Sequence, residues 1–429
     1  MKSRIGITGA MVLASLAVAP PLLAQYSAYT TPGSLSQLPE DRKAGVAQAA
    51  EKARWRLGPF RIEPWIGVRD MAWVDDGQLD AEGRPLDADL TTTVGAGARA
   101  YVRNGSRVTW AFHFLPEYVY WQKRDTQRRA LGRYGAGIFA DFNRLGIEIT
   151  ASRRDDEGIA LAESFVRIPT RSDEALVGLE LKLTGALSLY AGGRESRVRS
   201  LADENGDDGR LGALDRDENA LRGGLRFRFR SGLMLGAGYE KTESTSQDPA
   251  FATSNTGDAV YVEASRTRGG YAISAQVARR QLEPSAGSSF QATEDDFGRI
   301  QLQLRPEAKI SPVLYASRDL LVAVDAPSRD IVEDRRGASL LVRLGWRTSL
   351  TLFGEQGEQE YRSALPGLTV RRDDLTAYGA ELRMELGRGF TLRAGYGESR
   401  YDSNIPEFDR DTTVLRVGLD LGVGASGWY

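Results

Sequence analysis

The sequence predicts an all-β fold: a transmembrane, antiparallel, up-and-down β-barrel of about 18 strands, preceded by a short N-terminal helix. Three observations lead to this prediction. The chain of 429 residues is rich in glycine, with 47 residues, and in charge, with 56 Lys and Arg and 58 Asp and Glu. Apolar and polar residues alternate along many segments. The links between those segments are alternately short and long, as in outer-membrane barrels.

The composition excludes several classes of protein. A formal net charge of −2 gives no reason to expect a nucleic-acid partner. The lack of cysteine excludes disulfide scaffolds, thiolate metal sites and cysteine catalysis. The mean hydropathy is −0.36. Apolar runs after the first 24 residues, such as Leu320–Val324, are far shorter than the about 20 residues that a spanning helix needs.

The N-terminal residues have the pattern of a secretory signal peptide. Lys2 and Arg4 precede a largely apolar stretch, Ile5–Leu23, and Leu22 and Ala24 are acceptable at positions −3 and −1 of a cleavage site before Gln25. We therefore expect residues 1–24 to be a signal peptide. The alternative is a membrane anchor, which two consecutive prolines near the end of the stretch disfavour because they interrupt a helix.

Residues 25–58 are predicted to be a periplasmic linker with one short helix. Pro39–Leu57 is typical of a helix, since it has acidic residues in its first turn and is followed by Gly58–Pro59. A thin apolar stripe runs along it, formed by Ala47, Ala50, Ala53 and Leu57. Two interpretations stay open: a plug or docking helix at the periplasmic side, and a solvated leader to the first strand.

Residues 59–429 have the period of two that is typical of β-strands. Val94–Val102 and Leu221–Phe229 each place apolar side chains on one face over nine residues. A soluble β-sandwich also alternates, but its strands are usually nearer five or six residues long. Crossing a bilayer at a tilt needs about 9–11 residues, so the length favours a membrane barrel.

The links give the strand count. Seven short turns, such as Asn104–Gly105, separate long polar loops. Treating Arg153–Glu174 as one long loop, with no strand at Ile159–Ile168, keeps short and long links alternating. Nine long loops then predict 18 strands, and the ambiguous segment Ser311–Val324, apolar on both faces, leaves 16 as the alternative. The long loops are Asp75–Asp89, Lys123–Arg133, Arg153–Glu174, Ser200–Asn219, Glu243–Asp258, Leu282–Asp295, Asp325–Arg336, Tyr361–Asp373 and Asp402–Arg410.

The end of the chain supports a location in the outer membrane. Tyr429 follows apolar residues of the same parity, including Leu419 and Leu421, and so resembles the C-terminal insertion signal of outer-membrane barrels. We expect the long loops to lie outside the cell and both termini to lie in the periplasm.

The positions of arginine predict which face is the lumen. An Arg on the lipid face at the midplane costs roughly 2–4 kcal/mol, so the Arg row at Arg226 and Arg228 must face inward. The same argument gives a charged lumen that favours anionic or hydroxylated solutes. The alternative is that Arg and Glu simply pair across strands. The candidate solute-binding residues are Arg99, Arg222, Arg226, Arg228, Arg299, Arg343, Arg383, Arg393 and Arg416.

Catalytic and metal motifs are weak. His113 is the only histidine, and no nucleophile motif lies beside it in the sequence, so we expect no enzymatic activity. Asp203, Asn205 and Asp207 match the start of a calcium loop, but the later positions do not fit. We treat them as a weak metal-site candidate, and we expect no cofactor.

Short motifs suggest a family. The segment Gly58–Pro64, followed by Trp73–Asp76, resembles the first strand of outer-membrane β-barrels encoded with exopolysaccharide and capsule synthesis genes. Tyr401–Asn404 is similar to a segment of those proteins, where it normally follows the first strand. The resemblance implies export or surface association of a polysaccharide, with outer-membrane lipid and periplasmic export components as partners. A general or substrate-specific diffusion porin and a structural or adhesive surface barrel stay as alternatives.

Overall fold

The computed structural model describes residues 32–36, 42–75, 87–158, 168–201, 214–247, 254–285, 292–322, 328–363, 370–387 and 389–421. These residues form one α-helix, nineteen strands and three short 3-10 turns. The helix α1 is Arg42–Lys52. The strands are β1 Trp55–Leu57, β2 Phe60–Asp75, β3 Asp89–Asn104, β4 Val108–Trp121, β5 Arg129–Phe142, β6 Leu145–Gly158, β7 Ile168–Lys182, β8 Leu187–Ser200, β9 Arg216–Arg228, β10 Met234–Ser246, β11 Asn255–Arg268, β12 Tyr271–Pro284, β13 Thr293–Leu304, β14 Ile310–Val322, β15 Ser328–Arg343, β16 Thr348–Ser363, β17 Arg372–Gly387, β18 Phe390–Ser403 and β19 Arg410–Leu421.

The sheet closes on itself. Each strand from β2 to β19 pairs antiparallel with the next, and β19 pairs with β2. The barrel therefore has 18 strands, which confirms the predicted count. The alternative of 16 is wrong, because the ambiguous segment forms β14 and pairs with both β13 and β15.

The two faces of the wall differ as the alternation predicts. Val177, Leu225 and Phe227 lie on the outer face and are exposed, whereas Arg226 and Glu240 lie on the inner face and are buried. An exposed apolar outer face needs an apolar solvent, and lipid supplies it. No helix among the described residues is long and apolar enough to cross a membrane.

Most of the long links are shorter than predicted, although the link Asp75–Asp89 has the predicted bounds. Arg153–Glu174 is not one long loop, because β6 runs to Gly158 and β7 starts at Ile168. The polar residues there pair across the two strands: Arg153 Nε lies 2.6 Å from Asp173 Oδ1 on the outer face. A polar stretch of sequence can therefore form the end of a strand beyond the apolar band of the barrel, and it does not by itself indicate a loop. Residues 159–167 lie outside the described residues.

The wall overlaps itself at one seam, where β13 stays paired with β12 and β14 stays paired with β15. Pairing of β13 with β14 stops at Gly298 and Arg318, although both strands continue. Asp295, near the start of β13, contacts the guanidinium groups of Arg318 and Arg362 on the outer face of β14 and β16. Leu320, which would otherwise face outward, is buried there in a cluster with Leu282, Phe297 and Val332. This overlap explains why the sequence of β14 is apolar on both faces.

The helix is shorter than predicted. α1 covers Arg42–Lys52, and Trp55–Leu57 leave the helix to form β1, which pairs with the start of β2. Gly58 has a φ of 60°, which suits the first central position of a two-residue hairpin turn and ends the helical segment before it. Residues 37–41, the predicted first turn, lie outside the described residues.

α1 lies inside the barrel. Val46 and Ala50 are fully buried, in a cluster with the lumen-facing side chains of Tyr101, Ala111 and Phe139. Ala53 is buried as predicted, but Ala47 is exposed and Leu57 belongs to β1. The helix therefore packs on the wall formed by β3–β5 rather than standing in solvent.

The residues before α1 contact the opposite wall. Leu35, in the 3-10 turn Ser34–Ser36, is buried with Val313 and Tyr315 of β14. Gln301 Nε2 donates a hydrogen bond of 2.7 Å to the carbonyl oxygen of Leu35. Because β14 and β5 are nine strands apart in an 18-strand barrel, Leu35 and α1 contact opposite walls of the bore.

Two adjacent substitutions test the assignment of the faces. We expect Val277→Arg to destabilise the barrel by about 2–4 kcal/mol, since this outward residue near the middle of β12 would place a charge in lipid. Gln276→Arg is the matched control, because Gln276 faces the lumen opposite Glu263. Denaturant unfolding in lipid vesicles measures both. Equal losses for the two variants would contradict the assignment.

Candidate functional site in the lumen

The nine predicted arginines all lie on strands, at positions whose parity faces the lumen. Arg226 is buried on β9. Arg222 and Arg228 lie on the same face of β9, four residues before and two residues after Arg226. Arg99 is buried on β3 opposite His113 of β4. The structure thus places the predicted residues around the whole bore rather than at one point.

Most of these arginines make ion pairs with lumenal carboxylates. This agrees with the alternative that Arg and acidic residues pair across strands, except that Arg383 pairs with Glu385 of its own strand. Arg343 differs, since its guanidinium donates to the carbonyl oxygens of Pro306 (2.7 Å) and Ala308 at a short turn. The pairs are Arg226–Glu263 at 2.6 Å, Arg416–Glu381 at 2.7 Å, Arg299–Asp319 at 3.6 Å, Arg383–Glu385 at 4.0 Å and Arg393–Asp420.

Sequence reasoning missed several of the acidic partners. Glu240 and Glu263 face the lumen on β10 and β11, and Asp319 does so on β14. Because these carboxylates accompany the arginines, the lumen wall carries less net positive charge than the arginines alone suggest. Their odd or even position within each strand could have shown that they face the lumen. Which arginine each one contacts depends on strand register, which the sequence does not show.

A cluster of aromatic and charged residues lies on the wall formed by β8–β11. The Tyr190 and Tyr261 hydroxyls are 2.6 Å apart. The Arg226 guanidinium lies 4.1 Å from the centroid of the Tyr190 ring, and that of Arg222 lies 6.0 Å from it. Arg226 also contacts Glu263. Both cation–π contacts and the ion pair hold this part of the wall in one arrangement.

Glycine makes these contacts geometrically possible. Tyr190 on β8 and Tyr261 on β11 meet across Gly224 and Gly238, which occupy the two strands between them. Arg226 and Glu263 likewise meet across Gly236 of β10. A side chain at these positions would fill the space through which the flanking residues reach each other. We call residues of this kind bridged glycines: Gly224, Gly236, Gly238, Gly337 and Gly395.

The same arrangement recurs on other walls. Across Gly337 of β15, Tyr315 donates a hydrogen bond of 2.8 Å to Glu355. Across Gly395 of β18, Arg416 contacts Glu381. Contacts that skip a strand therefore tie the wall together at several places around the bore.

His113 is buried, opposite Arg99 on one side and Gly135 on the other. A catalytic histidine is normally oriented by a carboxylate, whereas the neighbour on β3 is a cation. This environment fits a wall residue, and the absence of enzymatic activity stays a prediction.

Metal binding has no support within the described ranges, which contain no group of three or more His, Asp or Glu side chains that could hold an ion. The weak calcium candidate, Asp203, Asn205 and Asp207, lies outside them.

Comparisons with known proteins identify the fold. No family model and no curated protein matches the chain. Among solved structures it is similar to OccK9 (OpdG) of Pseudomonas aeruginosa, with 14% identity, a TM-score of 0.52 and coverage of 84% of this chain and 98% of that chain. OccK2 (OpdF) of the same organism, in complex with glucuronate, gives 13% identity, a TM-score of 0.50 and coverage of 86% and 100%.

A third similar structure is a BenF-like porin from Pseudomonas fluorescens Pf-5, with 11% identity, a TM-score of 0.50 and coverage of 84% and 99%. At these identities the likeness shows the fold alone. The chain is thus a porin-like barrel, and the expected association with exopolysaccharide loci gains no support.

The buried ion pair gives a stability prediction. We expect Arg226→Met to destabilise the barrel by about 3–5 kcal/mol, because Glu263 would keep a buried charge without its partner. Adding Glu263→Gln should restore part of the loss. Equilibrium unfolding of the single and double variants measures this, and strictly additive losses would contradict a direct interaction.

The bridged glycines give a second prediction about stability. A Cβ at Gly238 would lie 2.6 Å from the Tyr190 hydroxyl and from the Gly223 carbonyl oxygen. We expect Gly238→Ala to cost about 1–3 kcal/mol through overpacking. Gly354→Ala is the matched control, since a Cβ there meets nothing within 4 Å. The explanation fails if the two variants unfold at the same denaturant concentration.

Proposed function

We propose that the protein is a diffusion channel for small hydrophilic solutes in the bacterial outer membrane. The observation that carries this proposal is a closed 18-strand wall with an apolar outer face and a lumen lined by ionised side chains. Such a wall separates lipid from a hydrated passage. The porin-like fold supports the same function.

We further propose that the solutes are small, anionic and hydroxylated, such as sugar acids. Arginine is suited to them because its guanidinium binds carboxylates with two parallel hydrogen bonds. Arg222 and Arg228 flank the Arg226–Glu263 pair on the lumen face of β9, where a solute carboxylate can approach them. OccK2 (OpdF), whose fold is similar, has a structure in complex with glucuronate, which is a molecule of this class.

Export of a polysaccharide is less well supported than diffusion of small solutes. A polymer needs a wide continuous passage, whereas in this bore Leu35 contacts the β14 wall and α1 packs on the opposite wall. Small molecules need only the space between them. The third alternative, a structural or adhesive surface barrel, differs from both because it predicts a protein that conducts no ions.

The location follows from the same features. We propose that the short turns and the N-terminal segment face the periplasm, that the nine longer links face outward, and that outer-membrane lipid covers the apolar face. Loops on the outer side and tight turns on the inner side are the usual asymmetry of bacterial barrels.

Solute flux tests the proposal. In liposome-swelling and planar-bilayer experiments we expect glucuronate to permeate, and Arg222→Ser/Arg228→Ser to reduce glucuronate flux relative to glucose by about 3–10-fold, because the local potential becomes less positive. Arg279→Ser is the matched control, since Arg279 lies on the outer face with Asp296.

The outcomes separate the alternatives. Absence of conductance in correctly folded protein would overturn the channel proposal and favour the adhesive barrel. Conductance with equal loss of both fluxes, or with the same loss in the Arg279 control, would overturn the proposed solute class while leaving the channel intact.

A further inference from the structure

We propose that the N-terminal segment sets the charge selectivity of the channel, because α1 places two cations on an acidic part of the lumen wall. The inference rests on the proposed channel function. It assigns to Arg42 and Lys43 a role that is distinct from the role proposed for the arginines of the wall.

The acidic part of the wall lies on β5–β7, near the short turns. We call it the carboxylate patch: Asp141, Glu148, Glu174 and Glu180, which all face the lumen. The wall supplies two neighbouring cations. Lys182 lies 3.6 Å from Asp141, and Arg194 lies 3.7 Å from Glu174. Arg194 also lies 3.0 Å from Glu218 of β9, but Glu218 has a cation of its own, Arg216, at 2.7 Å, so this further pair leaves the balance unchanged. Four carboxylates with two cations leave the wall negative at this place.

α1 supplies the missing positive charge. Lys43 Nζ lies 2.8 Å from Asp141 Oδ2. The Arg42 guanidinium lies 3.8 Å from Glu148 and 3.7 Å from Glu174, and so bridges two strands. With these two cations the patch and its neighbours balance. A solute passing beside α1 therefore meets a neutral wall instead of an anionic one.

Other contacts hold α1 in place. Its apolar side is buried against the wall through Val46 and Ala50. Arg54, just after the helix, lies 3.1 Å from the buried Glu63 and donates its backbone N–H to the same carboxylate. Partly exposed ion pairs contribute little to stability, so removing the charges of Arg42 and Lys43 should leave the helix where it is.

The segment leaves room for solutes. Eighteen strands spaced about 4.8 Å apart and tilted by about 40° give a backbone diameter of about 35 Å. A helix with its side chains is about 10–12 Å wide. α1 therefore lines one side of the bore and does not fill it, which makes charge selectivity the property it controls.

Reversal potentials in a KCl gradient test the proposal. We expect Arg42→Gln/Lys43→Gln to shift the reversal potential toward the potassium equilibrium potential, because the carboxylate patch becomes uncovered. Lys52→Gln is the matched control on the same helix, at an exposed position, and should cause no shift. Adding Asp141→Asn/Glu148→Gln to the double variant should return the potential to its original value.

A second measurement reports the position of α1 without relying on conductance. The chain contains no cysteine, so Ala50→Cys introduces a single thiol at a fully buried site. We expect a charged, water-soluble thiol reagent to label it slowly in both the original and the Arg42→Gln/Lys43→Gln background. Fast labelling in the original background would overturn the placement of α1 in the lumen.

The two proposals fail in different ways. A conducting channel whose reversal potential is unchanged by Arg42→Gln/Lys43→Gln would overturn the selectivity role and leave the channel function standing. Failure of every variant to conduct would overturn the channel function, and with it the selectivity role, while the labelling rate still reports where α1 lies.

Discussion

The rest of the structure depends on one constraint: each strand residue faces either lipid or the lumen, and a charge cannot face lipid cheaply. A midplane Arg on the lipid side costs roughly 2–4 kcal/mol, so the many charged residues of the strands are driven inward. Inside, charges crowd together, and a buried charge must have a partner. Arg226 with Glu263 and Arg280 with Glu240 satisfy that need by reaching across intervening strands.

Crowding in turn explains the glycines. An ion pair or hydrogen bond that skips a strand needs space above the strand it crosses. The bridged glycines provide this space by having no side chain, and Ala259 provides it with only a methyl group for Arg280 and Glu240. The high glycine content, a general sign of barrels at first sight, therefore has a specific role at Gly236, Gly337 and Gly395, where the residues on either side are charged or aromatic.

The sequence was a good guide where the physics is local. Period-two alternation predicted the faces and the direction of the arginines, and the alternation of short and long links predicted the count of 18 strands. It was a poor guide where the physics is non-local. The partner of Arg416 lies two strands away, and the apolar second face of β14 is covered by the end of β13. The helix was expected, but its place in the lumen depends on Val46 and Ala50 meeting residues of three distant strands.

The position of the short strand β1 limits where the chain can change in length. β3 occupies one edge of β2 along its length, so β1 takes the other edge at Phe60–Ile62, just below the residues that pair with β19. The chain thus enters the bore at the seam where first and last strands join. An insertion between α1 and β2 would slide the helix along the wall and pull Lys43 away from Asp141. We therefore expect length changes to be tolerated at the longer links between the strands of the barrel, whereas this junction must keep its spacing.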